Sequence, residues 1–357
     1  MTRAWRRWTP AAVVSVVIAA GALSVPLQAG AAVDLPDKTA QEVIAMVGES
    51  TVRSLSGTVE QTSDLGLPDL SAGGSSATEG AASALELLTG SHIFRVFIDG
   101  PDKARVQVMD RLAERDVIRN GTDVWLWDSR KNAVSHAVVP PHDKGDRPTP
   151  DGTRTPADLA QRFLDAVDPG TTVTVDTDTE VAGRTAYELV FTPRRSDTLV
   201  GSVSIAVDSE TGLPLRVRVT ARNETTPAFQ LAFTKLNVQA PDADLFSFEP
   251  PPSATVKERA LPKPTAKDGE IAGMNGQTHG DFPGKVSGTG WESVLELPAG
   301  TLPGDLTASP LYGQATEAVT GGRLLSTSLV NVLITDDGRV FAGSVPASRL
   351  QAAATGG

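Results

Sequence analysis

Residues 94–129, FRVFIDGPDKARVQVMDRLAERDVIRNGTDVWLWDS, constrain this chain more than any other stretch. Four short β-type runs follow one another with almost nothing between them. Phe94, Val96 and Ile98 alternate with Arg95 and Phe97, and Asp99-Gly100-Pro101-Asp102 then supplies a turn. Ala104, Val106 and Val108 alternate with Arg105 and Gln107. A third run, 114–119, reaches Asn120-Gly121, a strong hairpin signal. Val124-Trp125-Leu126-Trp127 completes the set. Alternation of period two with turn residues at each gap predicts an antiparallel meander with one apolar face.

The flanking chain extends this pattern. Ala40, Val43, Ile44 and Val47 make an apolar stripe that predicts a helix over 37–53, with Thr39 and Glu42 as its capping box. A first strand is expected over 55–63. Residues 66–83, rich in Gly, Ser and Ala, read as a surface insertion. After a polar break at 140–150, Thr155-Pro156-Ala157-Asp158 opens a second helix, with Leu159, Phe163, Leu164 and Val167 as its apolar face. Strands resume from Thr171. Tyr187, Leu189 and Phe191 lie on one face, followed by the sets Val203, Ile205, Val207; Leu215, Val217, Val219; and Phe229, Leu231, Phe233. Residues 208–214, DSETGLP, form a turn, and Phe246-Ser247-Phe248 ends the series before Pro250-Pro251-Pro252. So many strands with one apolar face cannot lie open in water, so the sheet must curl. The domain is expected to span 32–256. Residues 257–283 lack periodicity and read as a linker. Residues 284–350 carry strand signals of their own, including a hairpin at Thr335-Asp336-Asp337-Gly338, and 351–357 are expected to be disordered.

Arg3, Arg6 and Arg7, the apolar stretch 11–25 and Ala29-Gly30-Ala31 predict a secretory signal over residues 1–31, because that stretch falls short of the ~20 residues a membrane span needs. Its loss removes three arginines and no acid, taking the formal net charge from −11 to −14. An acidic exported protein is poorly suited to nucleic acid or an anionic bilayer. The chain has no cysteine, which rules out disulfides, thiolate metal sites, a cysteine nucleophile and a lipidated cysteine anchor.

FRVFIDGPDKARVQV with DVIRNGTDVWLWDS resembles the central sheet of the LolA/RseB-like superfamily, and FSFEPPPSATV resembles the ending of the same domain. The likeness covers roughly residues 37–257. It implies an α+β fold: a curled antiparallel sheet, an unclosed β-barrel, with helices on its concave face and a small C-terminal β-rich module. That module looks like the tail of actinobacterial RseB-like proteins and is much shorter than the C-terminal domain of RseB regulators proper. The superfamily includes lipoprotein carriers and regulators of envelope stress, and it implies no catalytic signature and no cofactor.

The residues themselves point the same way. His92, His136, His142 and His279 lack metal-ligand spacing, and neither a G-x-S-x-G elbow nor a P-loop with its hydroxyl residue occurs. Asp176, Asp178 and Glu180 alternate, as in a calcium site or in a solvated strand edge. The expected function is therefore a non-enzymatic, extracytoplasmic carrier or sensor of a lipid or lipidated protein. The alternatives are an RseB-like regulator that binds the extracytoplasmic part of a membrane anti-sigma factor, and a structural envelope protein. A ligand cavity would be lined by Phe94, Val96, Val106, Val108, Tyr187, Leu189, Phe191, Val203 and Ile205, with Trp125 or Trp127 near the entrance. Trp125 and Trp127 fit equally a strand packed on both faces.

Overall fold

The structure, a computed structural model, describes residues 35–67, 90–110, 113–139, 170–259, 284–302, 304–307 and 310–356. The expected signal, the 66–83 insertion beyond residue 67 and the helix opening at Thr155 lie outside these residues. Among the described residues no helix is long and apolar enough to cross a membrane.

The first helix, α1 (Ala40–Glu49), begins where its sequence says it should. Thr39 Oγ1 accepts from the Glu42 backbone N–H at 3.3 Å, and Glu42 Oε2 accepts from the Thr39 N–H at 2.7 Å. The Thr39 backbone and side-chain hydrogen bonds hold the Glu42 carboxyl below its ordinary value. The helix is shorter than 37–53, because the cap fixes its start at Thr39 and the chain leaves helical geometry at Ser50. Val43 and Ile44 are buried.

Twelve strands follow: β1 (Ser54–Ser63), β2 (Gly90–Asp99), β3 (Lys103–Asp110), β4 (Ala113–Asn120), β5 (Asp123–Asp128), β6 (Ala133–Val138), β7 (Thr171–Val181), β8 (Arg184–Pro193), β9 (Val200–Asp208), β10 (Pro214–Ala221), β11 (Pro227–Asn237) and β12 (Thr255–Arg259). They form one unclosed sheet in the order β12-β6-β5-β4-β3-β2-β1-β11-β10-β9-β8-β7. The meander of residues 94–129 is thus a run of consecutive neighbours. Its Asn120-Gly121 hairpin closes with Asn120 opposite Asp123 and Gly121 at φ 64°. At the other end, Gly212 (φ 70°) turns β9 into β10 directly beneath α1. A Cβ there would sit 2.0 Å from the Met46 carbonyl oxygen, so only glycine lets helix and turn meet.

Between β11 and β12 the chain crosses the meander. The expected ending strand at Phe246-Ser247-Phe248 is instead a 3-10 turn, Ala243–Phe246, followed by extended chain. Asp242 caps that turn by accepting from the Asp244 N–H at 3.1 Å, and the prolines at 250–252 have no N–H to give to a ladder. Phe246 is buried, Arg105 Nη1 donates to the Leu245 carbonyl at 3.1 Å, and the Arg105 guanidinium also pairs with buried Asp116. The chain then adds β12 in parallel to β6, which removes 257–259 from the expected linker.

The C-terminal region forms a second, six-stranded antiparallel sheet: β13 (Lys285–Ser287), β14 (Val294–Leu297), β15 (Glu317–Val319), β16 (Gly322–Ser326), β17 (Asn331–Thr335) and β18 (Val340–Gly343), in the order β13-β14-β18-β17-β16-β15. Two short helices, α2 (Gly304–Thr307) and α3 (Pro310–Ala315), precede β15. Helix α4 (Ala347–Thr355) covers this sheet, with Leu350 packed against Leu333, Phe341 and Val345. The chain end through Thr355 is therefore helical, not disordered, because Leu350 anchors it. The two sheets touch. Leu199 N–H and Thr198 Oγ1 both donate to the Ser344 carbonyl at 2.8 Å, and Trp291 Nε1 donates to Thr171 Oγ1 at 2.7 Å. Leu329 packs with Val200, Ala221 and Ala228.

Candidate ligand-binding face

Cross-strand pairing decides which side chains share a face. Gly57 lies opposite Val96, Val96 opposite Val106, Val106 opposite Val117, and Val117 opposite Leu126. The neighbouring row is Val59, Phe94 and Val108. On the far side of β1 the same face continues through Leu231, Val217, Ile205 and Leu189, with Phe229, Val219, Val203 and Phe191 beside them. One apolar face thus runs from β5 to β8. Gly57 allows it to pass β1, since a Cβ there would meet the Phe233 ring and the Lys235 carbonyl at 2.7 Å.

This face has two unlike parts. Over β7–β9 it is covered by α1. Val43 and Ile44 pack on Tyr187, Leu189, Phe191 and Val207, with Val203 and Ile205 partly buried beside them. Leu189 is 3% exposed and Val207 0%. Tyr187 Oη donates to the Pro36 carbonyl at 3.1 Å, and burial, then the Asp178 and Glu42 carboxylates, push its hydroxyl up. Asp178 is meanwhile used by the chain itself, accepting from the Leu35 N–H at 2.8 Å. Over β2–β5 the same face is half-buried at Phe94, Val96, Val106 and Val108, while Val117 and Leu126 are each 44% exposed. Leu231 on β11 is exposed as well.

Of the expected lining, Phe94, Val96, Val106 and Val108 come together on the open part. Tyr187, Leu189, Phe191, Val203 and Ile205 share the face but lie at the α1 interface. Trp125 and Trp127 do not belong to it. Trp125 pairs with Ile118 and Trp127 with Asp116, which puts both indoles on the opposite side of the sheet. There Trp125 stacks on His136 at 3.9 Å, and Phe248 of the crossing chain lies 5.7 and 6.5 Å from the two rings. Sequence reasoning passed over Val117 and Leu126, although each stands at the period-two position that continues Val106.

The opposite side of the sheet carries charge in pairs. Arg184 grips Asp208, donating to Oδ1 from Nη2 at 3.0 Å and to Oδ2 from Nε, and Arg216 Nη2 donates to Glu188 at 2.8 Å. Burial alone would raise the Asp208 carboxyl, but hydrogen bonds from Arg184 and Thr211 outweigh it and hold the group below its ordinary value. Among the described residues no cluster of three or more His, Asp or Glu could hold a metal ion. The open part offers apolar contact area, and such a surface can bind chains that water rejects at ~0.8 kcal/mol per buried methylene.

A large unclosed sheet with one helix-covered and one open apolar stretch defines the fold of the larger domain. Residues 84–264 match the MucB/RseB N-terminal domain, and the chain belongs to that family. Among solved structures it is similar to MucB in complex with MucA(peri), at 18% identity over 87% of this chain and 96% of that one, with a TM-score of 0.44. The Pseudomonas aeruginosa MucA/MucB complex gives 18% over 87% and 95%, with a TM-score of 0.42. A LolA superfamily protein from Nitrosomonas europaea gives 12% over 59% and 99%, with a TM-score of 0.23. Among curated protein sequences none matches.

Proposed function

We propose that this protein is a non-enzymatic, exported binding protein that holds an acyl chain or a lipidated protein on the open part of its apolar face. The observation that carries this reading is the exposure of Val117 and Leu126, 44% each, in a row continuous with Val96 and Val106. Isolated apolar residues are common on surfaces, but a contiguous row on one face of an unclosed sheet is suited to being covered by something apolar. The test is native mass spectrometry of the protein exported by its own host, followed by organic extraction and lipid analysis. A bound acyl lipid released on denaturation is the expected result. A protein that is ligand-free as isolated, and takes up no fluorescent fatty acid in titration, would overturn it.

The second reading is a regulator that binds the extracytoplasmic part of a membrane anti-sigma factor, and the MucB/RseB family assignment favours it. The two are compatible in one molecule, since a ligand on the open face can alter what a partner sees. They separate in a pull-down with the extracytoplasmic segment of an anti-sigma factor from the same host. Binding that acyl ligand does not change assigns the partner to another surface.

A further inference from the structure

His136 sits on β6 between two acids. Its Nε2 lies 2.8 Å from Asp123 Oδ1 on β5, and its Nδ1 lies 2.8 Å from Glu258 Oε2 on β12. A neutral imidazole has one N–H, so it can satisfy only one of these carboxylates and must point a lone pair at the other. The imidazolium donates to both, and charge-assisted bonds of this kind are the stronger ones. Trp125 adds an aromatic face at 3.9 Å and an 18° tilt, which also favours a cation. The ring side chain is 14% exposed.

The strand that Glu258 belongs to is a short edge strand of the large sheet. β12 has five residues, stands at the sheet edge and makes the one parallel pairing among the described strands, a ladder slightly weaker per residue than an antiparallel one. Its start is tied by the Thr255 N–H to the Asn132 carbonyl at 3.0 Å and by Asn132 Nδ2 to the Ser253 carbonyl at 2.7 Å. Near its far end, Glu258 stands directly opposite His136. We propose that His136 is a proton-operated latch: as imidazolium it pins the C-terminal part of β12 to the sheet, and on losing its proton it lets that part leave and uncovers the β6 edge.

The charges acting on the ring are both negative, Asp123 from β5 and Glu258 from β12. β6 has no other charged residue, and the crossing chain contributes Phe248 against Trp125. Burial works to lower the ring's affinity for a proton, yet the two carboxylates outweigh it and the group is held above its ordinary value. A group raised in this way stabilises the folded arrangement below the ordinary histidine value. That contribution is lost as pH rises through the folded value. Freed of β12, β6 would present a row of unpaired backbone groups, the kind of edge that accepts a partner strand.

The test is amide hydrogen exchange of residues 255–259 in the full chain from pH 5.5 to 8.5, corrected for intrinsic exchange rates. Protection should fall several-fold in a single step as pH rises through the folded value of His136. The step should be absent in His136→Gln, while strands β2–β4 stay unchanged in both proteins. Protection independent of pH, or a step that survives in His136→Gln, would overturn the latch. Should His136→Gln fail to fold, Glu258→Gln serves instead, because its carboxylate is 72% exposed and its loss removes only one arm. NMR titration of the imidazole gives a second readout: a midpoint at or below that of an unfolded histidine also refutes the proposal.

Discussion

The β8–β9 and β3–β5 stretches carry the same kind of apolar alternation and meet different fates. Leu189 and Val207 lie under α1 and are almost inaccessible, while Val117 and Leu126, on the same face of the same sheet, are nearly half exposed. Nothing in the strands themselves accounts for the difference. It arises from where α1 can dock, and that is set by Thr39, which fixes the helix start, and by Gly212, which lets the β9–β10 turn come within reach of Met46. The lesson is that an apolar face specifies the need for a cover, and the cover decides whether the face is core or binding surface.

The contrast breaks most visibly if the covered half is emptied. Leu189→Ala should cost about 2–5 kcal/mol in urea unfolding, the range for emptying a buried leucine site. A loss under about 1 kcal/mol would mean that α1 is not packed against β8 and that the two halves are alike.

Acid should act next, and through the buried Arg184–Asp208 pair on the other side of β8–β9. The Asp208 carboxyl is held below its ordinary value, so its contribution is complete above about pH 4 and is lost as pH falls through the folded value. Thermal unfolding followed from pH 7 down to 2 should show a decline that Asp208→Asn largely removes, along with part of the stability at pH 7. An unchanged acid limb in that variant would place the acid sensitivity elsewhere, for example at Asp337, whose hydrogen bonds from Thr335 and Arg339 bring its carboxyl to about 2.

A smaller effect is expected at the helix cap. Thr39→Ala removes the side-chain acceptor for the Glu42 N–H and should cost about 1 kcal/mol. If the covered half owes its cover to the start of α1, hydrogen exchange should rise in α1 and at β8–β9 but not in β3–β5. A uniform rise across the sheet would show that α1 supports the open half as well.

Much of this was legible in residue order, and what was not has identifiable causes. The meander, the capping box and the hairpins at Gly121 and Gly338 follow from local signals that each act within a few residues. β12 escaped notice because a parallel edge strand has no turn to announce it, and Lys257, Glu258 and Arg259 look like linker. The side that the tryptophans take could not be read, because Val124 and Leu126 are as apolar as Trp125 and Trp127. Alternation alone then gives no parity, and only the register that sets Leu126 opposite Val117 decides it. The joining of the two sheets through Ser344, Thr171 and Leu329 rests on pairings far apart in sequence, which no local pattern announces.

The smallest effect on stability should come from the open half, and it tests the function most directly. Leu126 is 44% exposed on the same face as buried Leu189, so Leu126→Ser should change unfolding free energy by no more than about 0.5 kcal/mol. The same change removes three apolar carbons from the surface proposed to hold an acyl chain. At ~0.8 kcal/mol per methylene, with the contact only partly made, acyl affinity should fall roughly tenfold. Leu189→Ser should do the reverse, destabilising the protein while the molecules that remain folded keep their affinity. The pair is read by fluorescent fatty acid titration beside urea unfolding of the same samples. If both variants lose affinity in proportion to stability, the ligand senses only the fold. If Leu126→Ser binds as tightly as the parent, the acyl chain is not held across β4 and β5, and the open half must be covered by something else, for which an anti-sigma factor segment is the next candidate to titrate.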